Sequence, residues 1–363
     1  MTMVPVNVSA IERYLEGLWA RGGTDLHITA GAPPMIRVDG RIVPLDEPAL
    51  RPEDATQLIL SLLHEDLARQ LRREKEVDFS FSWHEQTRFR ANCFFQQGVM
   101  SLALRSIPFR IPSFEELGLP PIIETFANLS QGLILCTGPT GSGKSTTQAS
   151  VIDYINDQRE CHILTIEDPI EYVHRHKRSL VNQREVGIDT DTFERALRAA
   201  LREDPDVILV GEMRDPETIQ FALTIAETGH LVFATLHTND AFTALDRIVD
   251  VFPGERQQQI RVQLAASIAG VVSQRLIPRI DGGQVAAFEI VSANNPVRAL
   301  IREGKSHQIR NVVATNVREG MQTMEIALNS LIEQGLITYE DAVVRSMYPK
   351  EIRPPAPVPV TTG

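Results

Sequence analysis

The residues best suited to chemistry in this sequence are a glycine-rich run that ends in lysine and serine. Gly138-Pro139-Thr140-Gly141-Ser142-Gly143-Lys144-Ser145 follows an apolar stretch at 133–137 and precedes a predicted helix to about residue 158. Glycines in such a loop let successive backbone N–H groups face an anion, and the positive end of the following helix adds to the attraction. A strand, this spacing and a helix together predict a phosphate-binding loop. A merely flexible glycine turn would not account for the elements on either side.

The loop predicts that the chain binds ATP with Mg²⁺. Lys144 is expected to neutralise the β- and γ-phosphates and so to assist catalysis, and the Ser145 hydroxyl is expected to hold Mg²⁺. The predicted nucleotide-binding set is continuous along the chain and comprises Gly138, Pro139, Thr140, Gly141, Ser142, Gly143, Lys144, Ser145 and Thr146.

Two further apolar runs end in carboxylates. Glu212 follows the run at 207–210, and Glu167 follows the run at 163–166. In an open α/β sheet the ligand lies outside the carboxyl ends of the strands, which is where both groups emerge. Glu212 is therefore expected to reach Mg²⁺, and Glu167 to orient or activate the water that attacks the γ-phosphate. The alternative is that both are ordinary surface acids.

A histidine stands at each end of the apolar run 231–236. His237 leaves the run at the same predicted sheet edge as Glu167 and Glu212, so we expect it to contact the γ-phosphate side of the site. His230 lies at the opposite end and is expected to have a structural or interface role. A lone histidine is more often a satisfied polar residue, and that alternative stays open for both.

Composition narrows the functional classes. The 363 residues carry a formal net charge of −11 with a pI near 5.4, which argues against broad adhesion to nucleic acid. The three cysteines, Cys93, Cys136 and Cys161, form no CxxC pair and are expected to be free thiols in a reducing compartment. Neither a signal peptide nor an apolar run of membrane-spanning length is apparent, which predicts a cytoplasmic protein without direct membrane insertion.

The pattern along the chain predicts two domains. Residues 1–106 alternate short helical and strand-like stretches, including a hairpin at Asp39-Gly40 and one helix over about 53–72, and predict a small α+β domain. Proline at four places in 107–121 predicts a semi-rigid linker there. Residues 122–350 alternate apolar runs with amphipathic helices and predict a parallel α/β domain. The proline-rich end, 351–363, is expected to be disordered.

Two helices of the second domain have distinct sequence signals. One is predicted over about 192–203, with Asp191 and Glu194 as a capping-box-like pair. The other is predicted over about 217–228 and ends before Gly229.

The chain resembles the secretion ATPase superfamily, and within it the retraction ATPases of type IV pili. A C-terminal signature of those ATPases reads Ala-Ile-Arg-Asn-Leu-Ile-Arg-Glu; residues 296–303 match it in five positions and depart at Pro296, Val297 and Ala299. The other stretches that carry the resemblance are Thr24-Asp25-Leu26-His27-Ile28, Gly31-Ala32-Pro33-Pro34, the Asp box Glu167-Asp168-Pro169-Ile170-Glu171-Tyr172, the Walker B-like run 206–215 and the His box 229–238.

This resemblance implies a RecA-like ATPase core with a smaller, PAS-like N-terminal α+β domain. It also implies a homohexamer that holds ATP between subunits and acts, at the inner membrane, on a pilus platform protein, with an accessory retraction ATPase as a further partner. Arginine fingers usually complete such sites, and Arg88, Arg90 and Arg105 are the candidates; a solvated strand face is the equal alternative.

Three functions follow from these expectations. The favoured one is a motor that hydrolyses ATP, moves its domains across the 107–121 linker and powers pilus retraction and twitching motility. The second is an accessory retraction ATPase or ATP-dependent scaffold of the same machinery. The third, a hexameric nucleic-acid translocase, is disfavoured by the acidic pI.

Overall fold

A computed structural model describes residues 7–38, 40–84, 87–108 and 110–355 of the chain. It divides into two compact units, Met1–Arg110 and Ile111–Gly363. The division lies within the segment 107–121, for which the sequence predicts a linker. In the described part of the chain, no helix is long and apolar enough to cross a bilayer.

The first unit is built on a six-stranded sheet in the order β3-β2-β1-β6-β5-β4, and neighbouring strands are antiparallel. Its strands are β1 (Asp25–Ile28), β2 (Met35–Val38), β3 (Arg41–Pro44), β4 (Glu76–Trp83), β5 (Thr87–Gln96) and β6 (Val99–Pro108). Its helices are α1 (Glu12–Ala20), α2 (Pro52–Leu62) and α3 (Glu65–Glu74).

The structure of this unit agrees with some of the elements predicted from sequence and differs from others. β2 and β3 pair across Gly40, whose φ is 77°, while Asp39 of the predicted turn lies outside the described residues. The single helix predicted over 53–72 is wrong, because the backbone is extended at Leu63 and His64 and the His64 side chain caps a second helix. Strand β4 buries its alternate side chains from Val77 to Trp83, so one face of the sheet forms the core.

The second unit contains a seven-stranded sheet in the order β13-β12-β7-β11-β10-β8-β9. Six of its strands run parallel, and β13 is an antiparallel edge strand. The strands are β7 (Gly132–Thr137), β8 (His162–Glu167), β9 (Leu180–Glu185), β10 (Val207–Val210), β11 (Leu231–Leu236), β12 (Ile268–Pro278) and β13 (Gln284–Ser292). β7, β10 and β11 are buried along their whole length, as expected for central parallel strands covered on both faces.

The helices of this unit are α4 (Phe114–Leu117), α5 (Ile122–Ala127), α6 (Lys144–Gln158), α7 (Phe193–Ala200), α8 (Pro216–Glu227), α9 (Ala241–Asp250), α10 (Gly254–Ser267), α11 (Asn295–Arg302), α12 (Ile309–Thr315), α13 (Met324–Glu333) and α14 (Tyr339–Arg345).

The predicted cap of α7 is wrong: Thr192, not Asp191, accepts the backbone N–H of Arg195, and Asp191 pairs with the Arg195 side chain instead. The helix predicted to end before Gly229 does so, and Gly229 has a φ of 105°.

Both ends of the second unit differ from the boundaries expected from sequence. Within the predicted linker, α4 carries a capping box, and Phe114 and Leu119 pack against a core cluster of this unit. At the C-terminal end, Ile352 is buried against α13 and α14, and Glu351 pairs with Arg310. Packed structure therefore extends past the expected start of the tail at 351, while residues 356–363 lie outside the described residues.

Candidate active site

The glycine-rich loop leads from β7 into α6 and requires its glycines for steric reasons. Gly138 has a φ of 139°, and a Cβ on it would lie 2.3 Å from the carbonyl oxygen of Gln274 in β12. Gly143, the N-cap residue of α6, has a φ of 85°, and its Cβ would lie 2.8 Å from Nε2 of Gln274. Non-glycine residues rarely adopt such backbone angles, and here β12 leaves no space for a side chain. The loop is therefore pressed against β12.

Lys144 supplies a positive charge at this loop. Its Nζ donates to the carbonyl oxygens of Gly138 and Pro139, each at 2.8 Å, and the side chain is buried. Burial lowers its pKa from the ordinary value, and the neighbouring acids Glu212 and Glu171 counteract this. The ammonium therefore lies inside the loop, where phosphate oxygens are a stronger partner than neutral carbonyls.

Glu167 ends β8 as a buried carboxylate. Its Oε1 accepts from Oγ1 of Thr165 at 2.6 Å and Nε2 of Gln183 at 3.3 Å, and its Oε2 accepts from the backbone N of Glu171 at 3.4 Å. Burial is the largest effect on this group and raises the pKa of Glu167 to about 7, although all three hydrogen bonds lower it. A carboxyl with a pKa near neutrality is suited to general acid–base chemistry.

Glu212 follows β10 and is held between the side chains of Arg214 and His237. Its Oε2 lies 2.7 Å from the Arg214 guanidinium, and its Oε1 lies 3.3 Å from Nε2 of His237. Burial raises its pKa, but the hydrogen bond from Arg214 and the charge of His237 outweigh this, so the pKa of Glu212 lies below its ordinary value. Glu212 is therefore ionised near neutral pH.

These side chains share one cleft because the carboxyl ends of parallel strands meet at one sheet edge. The cleft has a volume of about 570 Å³, within the range of small-molecule sites. Its lining includes predicted site residues from the loop, α6, and the ends of β8, β10 and β11: Thr140, Gly141, Gly143, Lys144, Ser145, Thr146, Glu167, Glu212 and His237.

Three arginines predicted as fingers belong to the first unit. Arg90 and Arg105 are register partners on β5 and β6, and Arg105 is in turn opposite Asp25 on β1. Nε of Arg105 donates to Asp25 at 2.8 Å, and Arg88 donates to Oγ of Ser80 at 2.6 Å. Arg90 is exposed. The three side chains therefore share the sheet face opposite the core, and their role toward nucleotide stays a prediction.

The oxygen donors at the cleft suit Mg²⁺. Ser145 offers a hydroxyl and Glu212 an ionised carboxylate, the hard ligands that Mg²⁺ prefers. Within the described ranges, no group of three or more His, Cys, Asp and Glu side chains is arranged to hold a metal.

Several neighbours of the site were not singled out from the sequence. Arg214 stands only two residues after Glu212 in the sequence, but the sequence pattern did not predict that the two side chains form an ion pair. Gln183 lies 16 positions along the chain from Glu167, to which it donates, and Gln274 lies 131 positions from Gly143, against which it packs. Of the two histidines, His230 bonds the carbonyl of Ile225 at the end of α8, a structural contact.

The parallel sheet, the loop and the acidic strand ends together define a P-loop nucleotide-binding ATPase fold, as the sequence predicted. A family model described as type II/IV secretion system protein matches residues 75–330. The type IV pilus retraction ATPase PilT of Pseudomonas aeruginosa is 48% identical over 330 residues, which cover 91% of this chain and 96% of that protein. A twitching motility protein of Neisseria gonorrhoeae is 50% identical over 310 residues, covering 85% and 83%.

A solved structure is also similar. The crystal structure of the pilus retraction motor PilT with bound ADP superposes with a TM-score of 0.89 at 52% identity, covering 94% of this chain and 98% of that one. The chain therefore belongs to the type II/IV secretion system protein family. The resemblance inferred from sequence and the predicted fold class, a RecA-like core with a smaller N-terminal domain, are confirmed.

Proposed function

We propose that this chain is an ATP-hydrolysing motor that powers type IV pilus retraction and thereby twitching motility. The observation that carries the proposal is the cleft that joins Lys144, Glu167, Glu212 and His237, in a chain similar to a retraction ATPase over 91% of its length. Either feature alone would leave a wider choice, because P-loops occur in many machines and similarity alone does not supply a mechanism.

In the proposed reaction, the γ-phosphate enters the loop and Lys144 exchanges its carbonyl partners for phosphate oxygens. Glu167 takes a proton from the attacking water, for which its buried carboxyl is suited. Ser145 and Glu212 would hold Mg²⁺, which would supply positive charge to the phosphates. His237 and Arg214 hold the Glu212 carboxylate in place.

The proposed assembly is a homohexamer. Arg88, Arg90 and Arg105 share the sheet face of the first unit that lies opposite its core, and we propose that they act on a nucleotide held by another subunit. Compensation of γ-phosphate charge by arginines is a general feature of such ATPases. Replacement of each arginine by alanine tests this: loss of turnover without loss of ADP binding supports a finger, and unchanged turnover in all three ends the idea.

The proposed setting is the cytoplasmic face of the inner membrane, where the ring would act on the pilus platform protein. Complementation of a strain that lacks its own retraction motor tests the function. Restored twitching by the wild-type chain, together with non-motile, hyperpiliated cells for Lys144→Ala, is the expected result. Hyperpiliation with the wild-type chain, at normal expression, would contradict the proposal.

A further inference from the structure

We propose that Gln183 is a positioning residue that fixes Glu167 through Oε1, so that Oε2 is the oxygen that receives the proton of the attacking water. The inference rests on the base role proposed above for Glu167. In that step an O–H bond of water breaks and its proton bonds to Oε2. The water oxygen bonds to the γ-phosphorus, and ADP leaves with the electron pair of the broken P–O bond.

The two oxygens of the Glu167 carboxylate have unequal surroundings. Oε1 accepts two side-chain hydrogen bonds, from Thr165 at 2.6 Å and from Gln183 at 3.3 Å. Oε2 accepts one long bond, from the backbone N of Glu171 at 3.4 Å. Since a well-bonded oxygen is a poorer proton acceptor than a weakly bonded one, the basic lone pairs of this group are on Oε2.

Sheet register explains how these donors reach the same oxygen. Thr165 in β8 and Gln183 in β9 are direct partners across the parallel pair. Glu167 stands two residues beyond Thr165 on the same strand, so all three side chains project from one face of the sheet. This arrangement is set by strand pairing rather than by a mobile loop, as a positioning role requires.

The Gln183 amide is itself held at both ends. Its Nε2 also donates to the carbonyl oxygen of Tyr172 at 2.8 Å, and its Oε1 accepts the backbone N–H of His174 at 2.7 Å. The Tyr172 hydroxyl lies 2.9 Å from Oγ1 of Thr146, in the first turn of α6. Gln183 therefore connects the carboxylate of the base, the loop beyond it and the helix that begins at the phosphate site.

An alternative role for Gln183 is simply to stabilise the loop through Tyr172 and His174. That role predicts a loss of stability or nucleotide affinity that is independent of Glu167. A positioning role predicts a loss in turnover that vanishes once Glu167 no longer accepts a proton. The two are separated by a double-mutant cycle, since coupling appears only when the residues act through each other.

The experiment compares Gln183→Met, Glu167→Gln and the double variant by single-turnover ATP hydrolysis on the full-length protein. Gln183→Met keeps the side-chain length but removes the donor. We expect it to lower the rate about tenfold, with KM for ATP changed less than about threefold. In the Glu167→Gln background the same change is expected to alter the rate less than about twofold. Thr165→Val removes the other donor to Oε1. Like Gln183→Met, it should lower the hydrolysis rate in the wild-type background and have little effect on the rate in the Glu167→Gln background.

Asn182→Ala is the matched control, because Asn182 directly precedes Gln183 in β9, is exposed, and contacts His162 rather than Glu167. It should leave the rate within about twofold of wild type. Equal rate losses for Gln183→Met in both backgrounds, or no loss in the wild-type background while Glu167→Gln is impaired, would overturn this inference alone. A wild-type rate for Glu167→Gln would overturn both it and the proposed base.

Discussion

Nε2 of His237 lies 3.3 Å from Oε1 of Glu212, although the two residues follow different strands of the central sheet. Arg214 bonds the other carboxylate oxygen at 2.7 Å, so Glu212 is fixed from both sides. A carboxylate that is oriented before the metal arrives loses less conformational freedom on binding it. We therefore propose that His237 acts on the phosphate site through Glu212, while its predicted contact with the γ-phosphate side stays a prediction.

Replacement of His237 by alanine should lower kcat about tenfold, because Glu212 keeps its charge but loses one of two orienting partners. ADP affinity should change less than about threefold, since the loop itself is intact. His230→Ala is the control: it contacts the backbone at the other end of β11 and should leave kcat within about twofold. Steady-state ATPase assays check both, and an equal loss in the two variants would contradict the role.

Turnover should depend on pH through Glu167. The pKa of its carboxyl is raised to about 7, mainly by burial, and a general base must be ionised. We expect kcat to fall about tenfold for each pH unit below 7. A kcat that is flat from pH 8 to pH 5.5, where the protein remains folded, would exclude Glu167 as the base.

The same group makes stability depend on pH. Its pKa is raised on folding, so the stability it contributes is present below its unfolded value of 4.5 and is lost as pH rises through about 7. Between pH 5 and pH 8 this loss amounts to about 2 kcal/mol. Glu167→Gln has no titrating carboxyl at this position and therefore lacks this pH-dependent loss. From pH 5 to pH 8, urea denaturation should show the free energy of unfolding of the variant rising by about 2 kcal/mol relative to that of wild type. Glu289, whose pKa is also about 7, is present in both proteins and cancels.

Residues that are close in sequence account for what could be predicted. The P-loop, α6 and the strands that end at Glu167 and Glu212 each have a signal within a few residues, and the sheet rule places them at one edge. The split of the helix predicted over 53–72 was missed because Leu63 and His64 break it by conformation rather than by proline or glycine.

Pairing across the sheet accounts for what could not be predicted. Gln183 meets Glu167 only because β9 lies beside β8, and Gln274 meets the P-loop only because β12 lies beside β7. β9 itself has a mixed burial pattern and no strong alternation. A strand order cannot be read from local periodicity, so the residues that support the site remained unassigned.

The P-loop glycines should respond unequally to alanine. At Gly138 a Cβ would meet the Gln274 backbone at 2.3 Å, and backbone has no room to give. At Gly141 φ is also positive, 77°, but no described atom lies within 4 Å of the added Cβ. We expect Gly141→Ala to cost about 1 kcal/mol of stability and Gly138→Ala clearly more, with loss of ADP binding. Similar Tm and ADP affinity for both variants would contradict the close approach of β12.

Arg298, from the C-terminal signature, should matter for stability. Its guanidinium donates to the carbonyl oxygens of Ala265, Ala266 and Ala293 at 2.6, 2.7 and 2.8 Å, which closes the end of α10. Arg298→Ala should therefore lower the free energy of unfolding by about 1–3 kcal/mol. Arg302→Ala, on the same helix but exposed, should stay within about 0.5 kcal/mol. Urea denaturation measures both; an unchanged Arg298→Ala would mean that these bonds do not support the fold.

The claim on which the mechanism depends is that ATP phosphates bind to the loop that contains Lys144. Calorimetric titration of the purified chain with a non-hydrolysable ATP analogue and Mg²⁺ tests it most directly. We predict saturable heat for wild type and at least about a tenfold weaker affinity for Lys144→Ala, because the buried ammonium is the main positive charge of the loop. Absence of binding heat in folded wild-type protein, or equal affinity in the variant, would contradict the account.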